Sequence, residues 1–440
     1  MIRAITAAIL KIMVASIALA VAGCANVVES EGPEVNKLLN SPESGASADK
    51  VVLRLWSFHQ AMEYDFWQWL AKEYEKANPN IEIRVEYVSS DDYFSSTRLL
   101  SAFAFGQGPD IFFVSPATIK RFVDADFLFP LTNQFTRAIR EDFNPVALDS
   151  VTVDGQIYAV PFETELLGLY YNKKMFSDHK LEPPKTWDQM MQAAERLKSP
   201  AVSGLTIETY DGVYQNFSWL PFLWQTGSDL LSDKGISSGL TGSRAADMYR
   251  FFRRMVEQDL INMRPSRPTT DIGILASGET AMQVSGSWNI RMLETEFKDQ
   301  PIGVIPLPAP ADGSRVTIAG GWKMAVNRQS EYAEEAAKFI MWSFAGTSDI
   351  PLKWVSQTKF AYSPRNSVME AGEKYYREGL RAVFTDEIYG TERAEPQLPE
   401  EIYRIFSDSL QELLFAESTP EDIVSKARRL IEAGLNPTVK

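Results

Sequence analysis

The hydrophobic pattern becomes regular at Val51. Val51 to Phe58 is apolar, β-branched at its start and carries Trp56, which reads as a buried first strand. Residues 62–78 then place Phe66, Trp69, Leu70 and Tyr74 at helical spacing, with Glu63, Lys72, Glu75 and Lys76 largely outside. Asn78-Pro79 stops that helix. Ile81, Ile83, Val85 and Tyr87 alternate with Glu82, Arg84 and Glu86, the mark of a half-exposed strand. A second helix ends at Gly106-Gln107-Gly108-Pro109-Asp110, and Ile111-Phe112-Phe113-Val114 is a continuous apolar strand of the kind buried in a parallel sheet.

This alternation of strand and helix predicts an α/β fold. In such sheets ligands sit beyond the carboxyl ends of the strands, which directs attention to the residues after Trp56 and after Val114. Further on, Gly155 to Tyr158 leads to Ala159-Val160-Pro161, and Leu166 to Tyr171 is a strand ending at Asn172. Thr186 caps a helix from Trp187 to about Leu197, with Asp188 in its first turn. Thr419 starts a final helix with Ile423, Ala427, Leu430 and Ile431 on one face. Internal repeats are absent from the pattern. Roughly 390 residues follow the N-terminal region, more than one typical core holds, so two lobes are expected.

The first fifty residues bear on the compartment. Met1-Ile2-Arg3 is followed by a small and apolar stretch from Ile12 to Gly23. It is too short to span ~30 Å of hydrocarbon and suits the core of a signal peptide over residues 1–23. Val21-Ala22-Gly23-Cys24 resembles the lipobox of bacterial lipoproteins, whose cysteine receives a diacylglyceryl group. Cys24 is the only cysteine, so disulfides within the chain and cysteine-based zinc sites are excluded. Residues 24–49, rich in Ser, Asn, Gly, Pro and Glu, have little to bury and read as a flexible tether. The expected location is the extracytoplasmic side of a cell membrane, anchored but not spanning. The net charge of −14 has the wrong sign for nucleic acid. Tryptophan, at 10 residues, is abundant enough to supply stacking planes for flat ligands besides the core.

The chain resembles the extracellular solute-binding proteins of carbohydrate importers, the group that includes maltose-binding protein. The matching segments are the helix Phe66 to Pro79, Gly108-Pro109-Asp110-Ile111, Asp154 through Pro161, Tyr171-Asn172-Lys173 and Pro184-Lys185-Thr186-Trp187. Gly278 to Met282, Gly286-Ser287-Trp288 and Ile305-Pro306-Leu307-Pro308 continue the series. Their order and spacing carry the resemblance. It implies a two-lobed periplasmic-binding-protein-like fold, with a multi-crossing hinge and a ligand cleft between lobes. Residues 51–162 and 320–363 would form the first lobe, and 164–318 and 366–440 the second. Crossings are expected near Phe162-Glu163, Ala319-Gly320 and Pro364-Arg365.

A sugar ring has an apolar face that an aromatic plane covers and hydroxyls that carboxylates, amides and Arg bind. The resemblance places Trp288 against the sugar and Glu165 on the hinge strand that supplies a carboxylate; the alternatives are a core aromatic and a solvated charge. Glu163 lies two residues from Glu165, on the same strand face. Trp322 follows Gly320-Gly321, where glycines would let backbone approach a ligand, or else it packs in a core. His59, Gln60 and Ser115 stand at the strand ends. Ser115-Pro116-Ala117 is plainer than the corresponding loop of maltose-binding protein, so maltose specificity does not carry over. Trp219 and Gln215, in an aromatic-rich loop, and Arg365, at the third crossing, complete the candidates.

The implied partners are a sugar or oligosaccharide, the permease subunits of an ATP-driven importer, and the membrane through Cys24. The chain is expected to act as a monomer, without cofactor or metal. Two other classes compete. A secreted glycosidase would use Glu163 and Glu165, but neighbours on one strand face point in parallel, not across a substrate. A ferric-ion binder would use Tyr170-Tyr171 or Tyr375-Tyr376. The same fold also serves receptors that sense sugar without transport.

Overall fold

The computed structural model describes residues 50–94, 97–232, 235–241 and 244–435. The leader, Cys24 and the tether lie outside the described residues. Two sheets organise the described chain. The first has five strands in the order Ile81–Tyr87, Val51–Ser57, Ile111–Val114, Lys323–Val326, Ala159–Pro161. The first three are mutually parallel, with Val51 opposite Ile81 and Leu55 opposite Ile111. Lys323–Val326 runs antiparallel between Ile111–Val114 and Ala159–Pro161. The second sheet has four strands in the order Ile302–Ile305, Leu167–Asn172, Thr280–Gly286, Ser203–Thr206.

The chain therefore builds most of the first sheet, then the second, and returns at Lys323 to fill the first. The connecting segments lie side by side. Leu166 bridges Ala319, and the Gly320 amide donates to the Glu165 carbonyl at 3.0 Å. Thr164 and Tyr362 exchange amide hydrogen bonds of 2.8 and 2.9 Å. Thr317–Ala319 also pairs in parallel with Glu392–Ala394, a crossing absent from the sequence reading.

The inner strands Ile111–Val114, Lys323–Val326 and Thr280–Gly286 are buried on both faces, as strands inside a covered sheet are. Ile111 to Val114 are all buried. The helix Ala61–Ala77 packs on this sheet through Phe66, Trp67, Leu70, Ala71 and Tyr74. The tryptophan expected in the core was Trp69, but the stripe runs through Trp67, which is fully buried. Positions 67, 70, 71 and 74 continue one face at 3.6-residue periodicity, while 69 lies about a hundred degrees round it. Trp69 is half-buried, with the Lys353 ammonium 5.0 Å from its ring centre. In the second sheet, Leu167 and Leu169 face one core and Tyr170 the other, the two-residue period of a strand.

The capping prediction for Trp187–Leu197 matches: the Thr186 hydroxyl accepts from the Gln189 amide. The last helix, Pro420–Leu435, buries Ile423, Ala427 and Ile431 but leaves Leu430 exposed. Val424, three residues before Ala427, takes the fourth place in the buried stripe instead.

Candidate ligand-binding cleft

The carboxyl ends of Val51–Ser57 and Ile111–Val114 open onto a cleft of about 690 Å³. Phe58, His59 and Gln60 follow the first strand and Ser115 the second, and all four line it. From the first sheet's side also come Tyr93 and Trp322. Phe58 packs on Trp322 with ring centres 4.6 Å apart and stacks on His59 at 4.3 Å. Tyr93 meets Trp322 edge-on at 6.0 Å and is pinned by its hydroxyl, which donates to the Phe113 carbonyl.

The second sheet's side contributes Trp288, Tyr214 and Phe217. Trp288 follows the strand Thr280–Gly286 and leads into the helix Asn289–Thr295. Its ring lies against Gly286, where a Cβ would stand 1.8 Å from a ring carbon. Glycine there is what lets the ring lie against the strand end. The Trp288 indole donates to the Thr270 carbonyl at 3.1 Å, and Tyr214 meets its ring edge-on at 6.0 Å.

The wall between the lobes is charged. The Lys359 ammonium sits 2.6 Å from Glu165 and 3.1 Å from Glu163, all three buried. Burial opposes the charge on Lys359, but Glu163, Glu165 and Glu63 outweigh it and its pKa is raised. Burial pushes Glu165 up against the pull of Lys359, with Glu163 and Glu63 adding to the rise. Nearby, Lys323 donates to the carbonyls of Glu163, Gly320 and Gly321. Burial brings Lys323 down to about 8, and burial carries Glu395, also at the cleft, up to about 8. His59 is held far below its usual range by burial and then by Lys359, so it is a neutral imidazole with Nδ1 paired to the Ser57 hydroxyl.

The structure thus brings Trp288, Glu165, Trp322, His59, Gln60 and Ser115 together around one cleft. Four other candidates lie elsewhere. Glu163 is fully buried and does not line the cleft; its carboxylate accepts from the Trp354 indole and the Trp322 amide. Trp219 is a core residue whose indole donates to the Glu208 carbonyl. Gln215 is buried beside Ser407 and Gln411. Arg365 is paired with Asp142 at 2.7 Å and donates to the Phe344 and Thr347 carbonyls. Of the two glycines before Trp322, Gly321 lines the cleft. Gly321, at φ +90°, lets the chain close on the Glu163 carbonyl, and a Cβ on Gly320 would strike the Phe217 ring.

Tyr214, Phe217, Lys359 and Glu395 are cleft residues that the sequence did not single out. The segment read as an aromatic-rich loop is the helix Val213–Gln225. Its Tyr214 and Phe217, three apart, face the cleft, while Gln215 and Trp219, four apart, face the core. Pro221 lies within this helix. Helical spacing would have selected Tyr214. The competing tyrosines do not converge: the Tyr170 hydroxyl donates to the Gly286 carbonyl, and Tyr376 stacks on Tyr362. Among the described residues no group of three or more His, Cys, Asp or Glu is placed to hold a metal ion, and no helix is long and apolar enough to cross a membrane.

Comparison with known proteins agrees with this architecture. The chain is 29% identical over 307 residues to the maltotriose-binding protein of Pyrococcus abyssi, a match covering 68% of this chain and 63% of that one. It thus spans less than two thirds of that relative's length. It is 23% identical over 317 residues to the multiple sugar-binding protein of Streptococcus mutans, covering 68% and 72%. Among solved structures, an ABC transporter solute-binding protein of Thermotoga lettingae bound with α-D-tagatose superposes with a TM-score of 0.77 at 21% identity, over 88% of this chain and all of that one. The GacH receptor of Streptomyces glaucescens, solved unliganded and with acarbose, gives 0.76 at 21% identity over 89% and 100%. Such structures share the two-lobed fold. Residues 60–365 match the family described as bacterial extracellular solute-binding protein, and with two sheets, a multi-stranded crossing and a cleft at the crossing, this chain belongs to that family.

Proposed function

We propose that this chain is the extracytoplasmic substrate-binding subunit of an ATP-driven importer, which captures a sugar or oligosaccharide between its lobes and delivers it to a membrane permease. The observation that carries the reading is the wall chemistry of the cleft. Phe58, Tyr93 and Trp322 from one sheet and Tyr214, Phe217 and Trp288 from the other offer planes for sugar C–H faces. Glu165, Asp271, Asn289 and Lys359 offer hydroxyl partners at the same cleft. Its volume falls in the range of small-molecule sites, about 300–1,000 Å³. The sugar-binding relatives support the same reading.

The protein acts without cofactor or catalysis in this reading. Glu163 and Glu165 converge on one lysine and do not flank an open gap, which supports binding over hydrolysis. The lobes are assigned as residues 51–162 with 320–363, and 164–318 with 366–440, working as a monomer. Closure would select the sugar-bound form for the permease. A thermal-shift screen of mono- and oligosaccharides should find a sugar that raises the melting temperature. Small-angle scattering with that sugar should show a smaller radius of gyration. A screen without any stabilising sugar would remove the reading, and an unchanged radius at saturation would remove hinge closure from it. The lipid anchor on Cys24 rests on the leader sequence. A Cys24→Ala protein should be left unprocessed or released; mature variant still partitioning into detergent would argue against the anchor.

A further inference from the structure

We propose that the sugar taken by this cleft carries a protonated amine, and that Glu395 is the residue that receives it. The inference rests on the sugar-capture reading and adds the charge of the ligand. Among the described residues, five carboxyl side chains line the cleft: Glu63, Glu165, Asp271, Glu296 and Glu395. One ammonium, Lys359, stands against them, and the His59 imidazole is neutral. Lys359 is already shared between Glu165 at 2.6 Å and Glu163 at 3.1 Å. Asp271 has Arg267 at 3.4 Å, and Glu63 has the neutral His59 at 3.8 Å. The wall therefore carries more negative charge than its own cations balance.

Glu395 is the carboxyl that this imbalance leaves most isolated. It follows the strand Glu392–Ala394, and its amide donates to the Ala319 carbonyl at 2.9 Å, so backbone pairing fixes it at the crossing. The residue is 5% exposed and lines the cleft. Its carboxyl has no hydrogen-bond or ion-pair partner among the described residues. The titratable groups facing it are Lys323 and, from the helix Glu400–Phe415, Tyr403. Neither serves it. The Lys323 ammonium donates to the carbonyls of Glu163, Gly320 and Gly321, and the Tyr403 hydroxyl donates to the Pro396 carbonyl.

A nearly buried carboxyl without a partner is costly as an anion, so it either keeps its proton or meets a cation. Burial carries Glu395 up to about 8, so near neutral pH it holds the proton in the absence of ligand. An ammonium on the sugar would displace that proton to solvent, keep its own, and form a charge-assisted hydrogen bond with the carboxylate left behind. A sugar hydroxyl would leave the acidic wall unbalanced, and an acidic sugar would be repelled by it. The aromatic planes point the same way. Trp322 and Tyr93 on one side and Trp288 and Tyr214 on the other present ring faces that attract a cation more than a neutral hydroxyl.

The test is titration calorimetry near pH 6 with sugars that differ only in the amine. The 2-amino-, 3-amino- and 6-amino-deoxy forms of glucose and galactose are set against the parent hexoses and the N-acetyl derivatives. Oligomers of β-1,4-glucosamine, two to six units long, are set against β-1,4-glucose oligomers of equal length. The proteins are wild type and Glu395→Gln, each with a ligand-free melt. In wild type, the amine should bind about tenfold or more tighter than its hydroxyl and N-acetyl counterparts. Its binding should release about one proton, read from the dependence of the heat on the buffer's ionisation enthalpy. Glu395→Gln should narrow the preference to about threefold or less and release no proton from this site. Equal affinity for amine and parent sugar in wild type would overturn the proposal whatever the variant does. So would a preference and a proton release that both persist in Glu395→Gln. Binding of neutral sugars alone would remove the amine and leave sugar capture standing; no binding by any probe would remove both.

Discussion

Replacing Lys359 by methionine should remove about 3–5 kcal/mol of stability near pH 8, the range found when one partner of a buried ion pair is deleted. Lys359 is 5% exposed and is the cation shared by Glu163 and Glu165. Without it, two carboxyls remain in a site that excludes water. The loss should depend on pH with a definite sign. Burial already raises Glu165 above its ordinary 4.5. A carboxyl with a raised folded-state pKa favours the native state below its unfolded pKa, and that preference is lost as pH climbs through the folded value. Removing Lys359 lifts the folded value further, so the deficit should be smaller near pH 5 and larger near pH 8. Adding Glu165→Gln to the variant should recover part of the loss. Urea titrations at the two pH values check this. Equal midpoints for wild type and Lys359→Met at pH 8 would show that the lysine does not hold the crossing segments together.

Trp288→Ala should weaken binding of the screened sugar at least about 30-fold, since a well-buried aromatic anchor carries ~2 kcal/mol or more at ~1.4 kcal/mol per decade. The fold should survive. The ring is half-buried, has one hydrogen bond, to the Thr270 carbonyl, and faces the cleft beside Tyr214. Calorimetric titration paired with ligand-free melts separates the roles. A collapsed melting temperature would make Trp288 a core residue, and unchanged affinity would take it out of the site. Glu165→Gln is a less clean probe than a carboxylate serving the cleft alone would be. Glu165 is the carboxylate nearest Lys359, so its neutralisation alters the crossing as well as the cleft.

Much of the framework is written locally. Alternation in Ile81–Tyr87, the unbroken apolar run Ile111–Val114 and the Thr186 cap each act within a few residues, so each is legible without the fold. The strand ends also pointed to His59, Gln60 and Ser115, because the position of a ligand in an α/β sheet follows from strand direction. Trp288 and Glu165 came from resemblance of motif and order. What the sequence could not decide depends on contacts between distant segments. Lys323–Val326 enters the middle of a sheet whose other strands end at Pro161. Gln215 and Tyr214 are neighbours in the chain, but the turn of a helix sends one to the core and the other to the cleft. Lys359 meets Glu163 across 196 positions, and no local pattern marks it. Periodicity and capping are short-range and survive in a string of letters. The charges at the crossing acquire their partners, and their shifted protonation, only when tertiary packing removes them together from water.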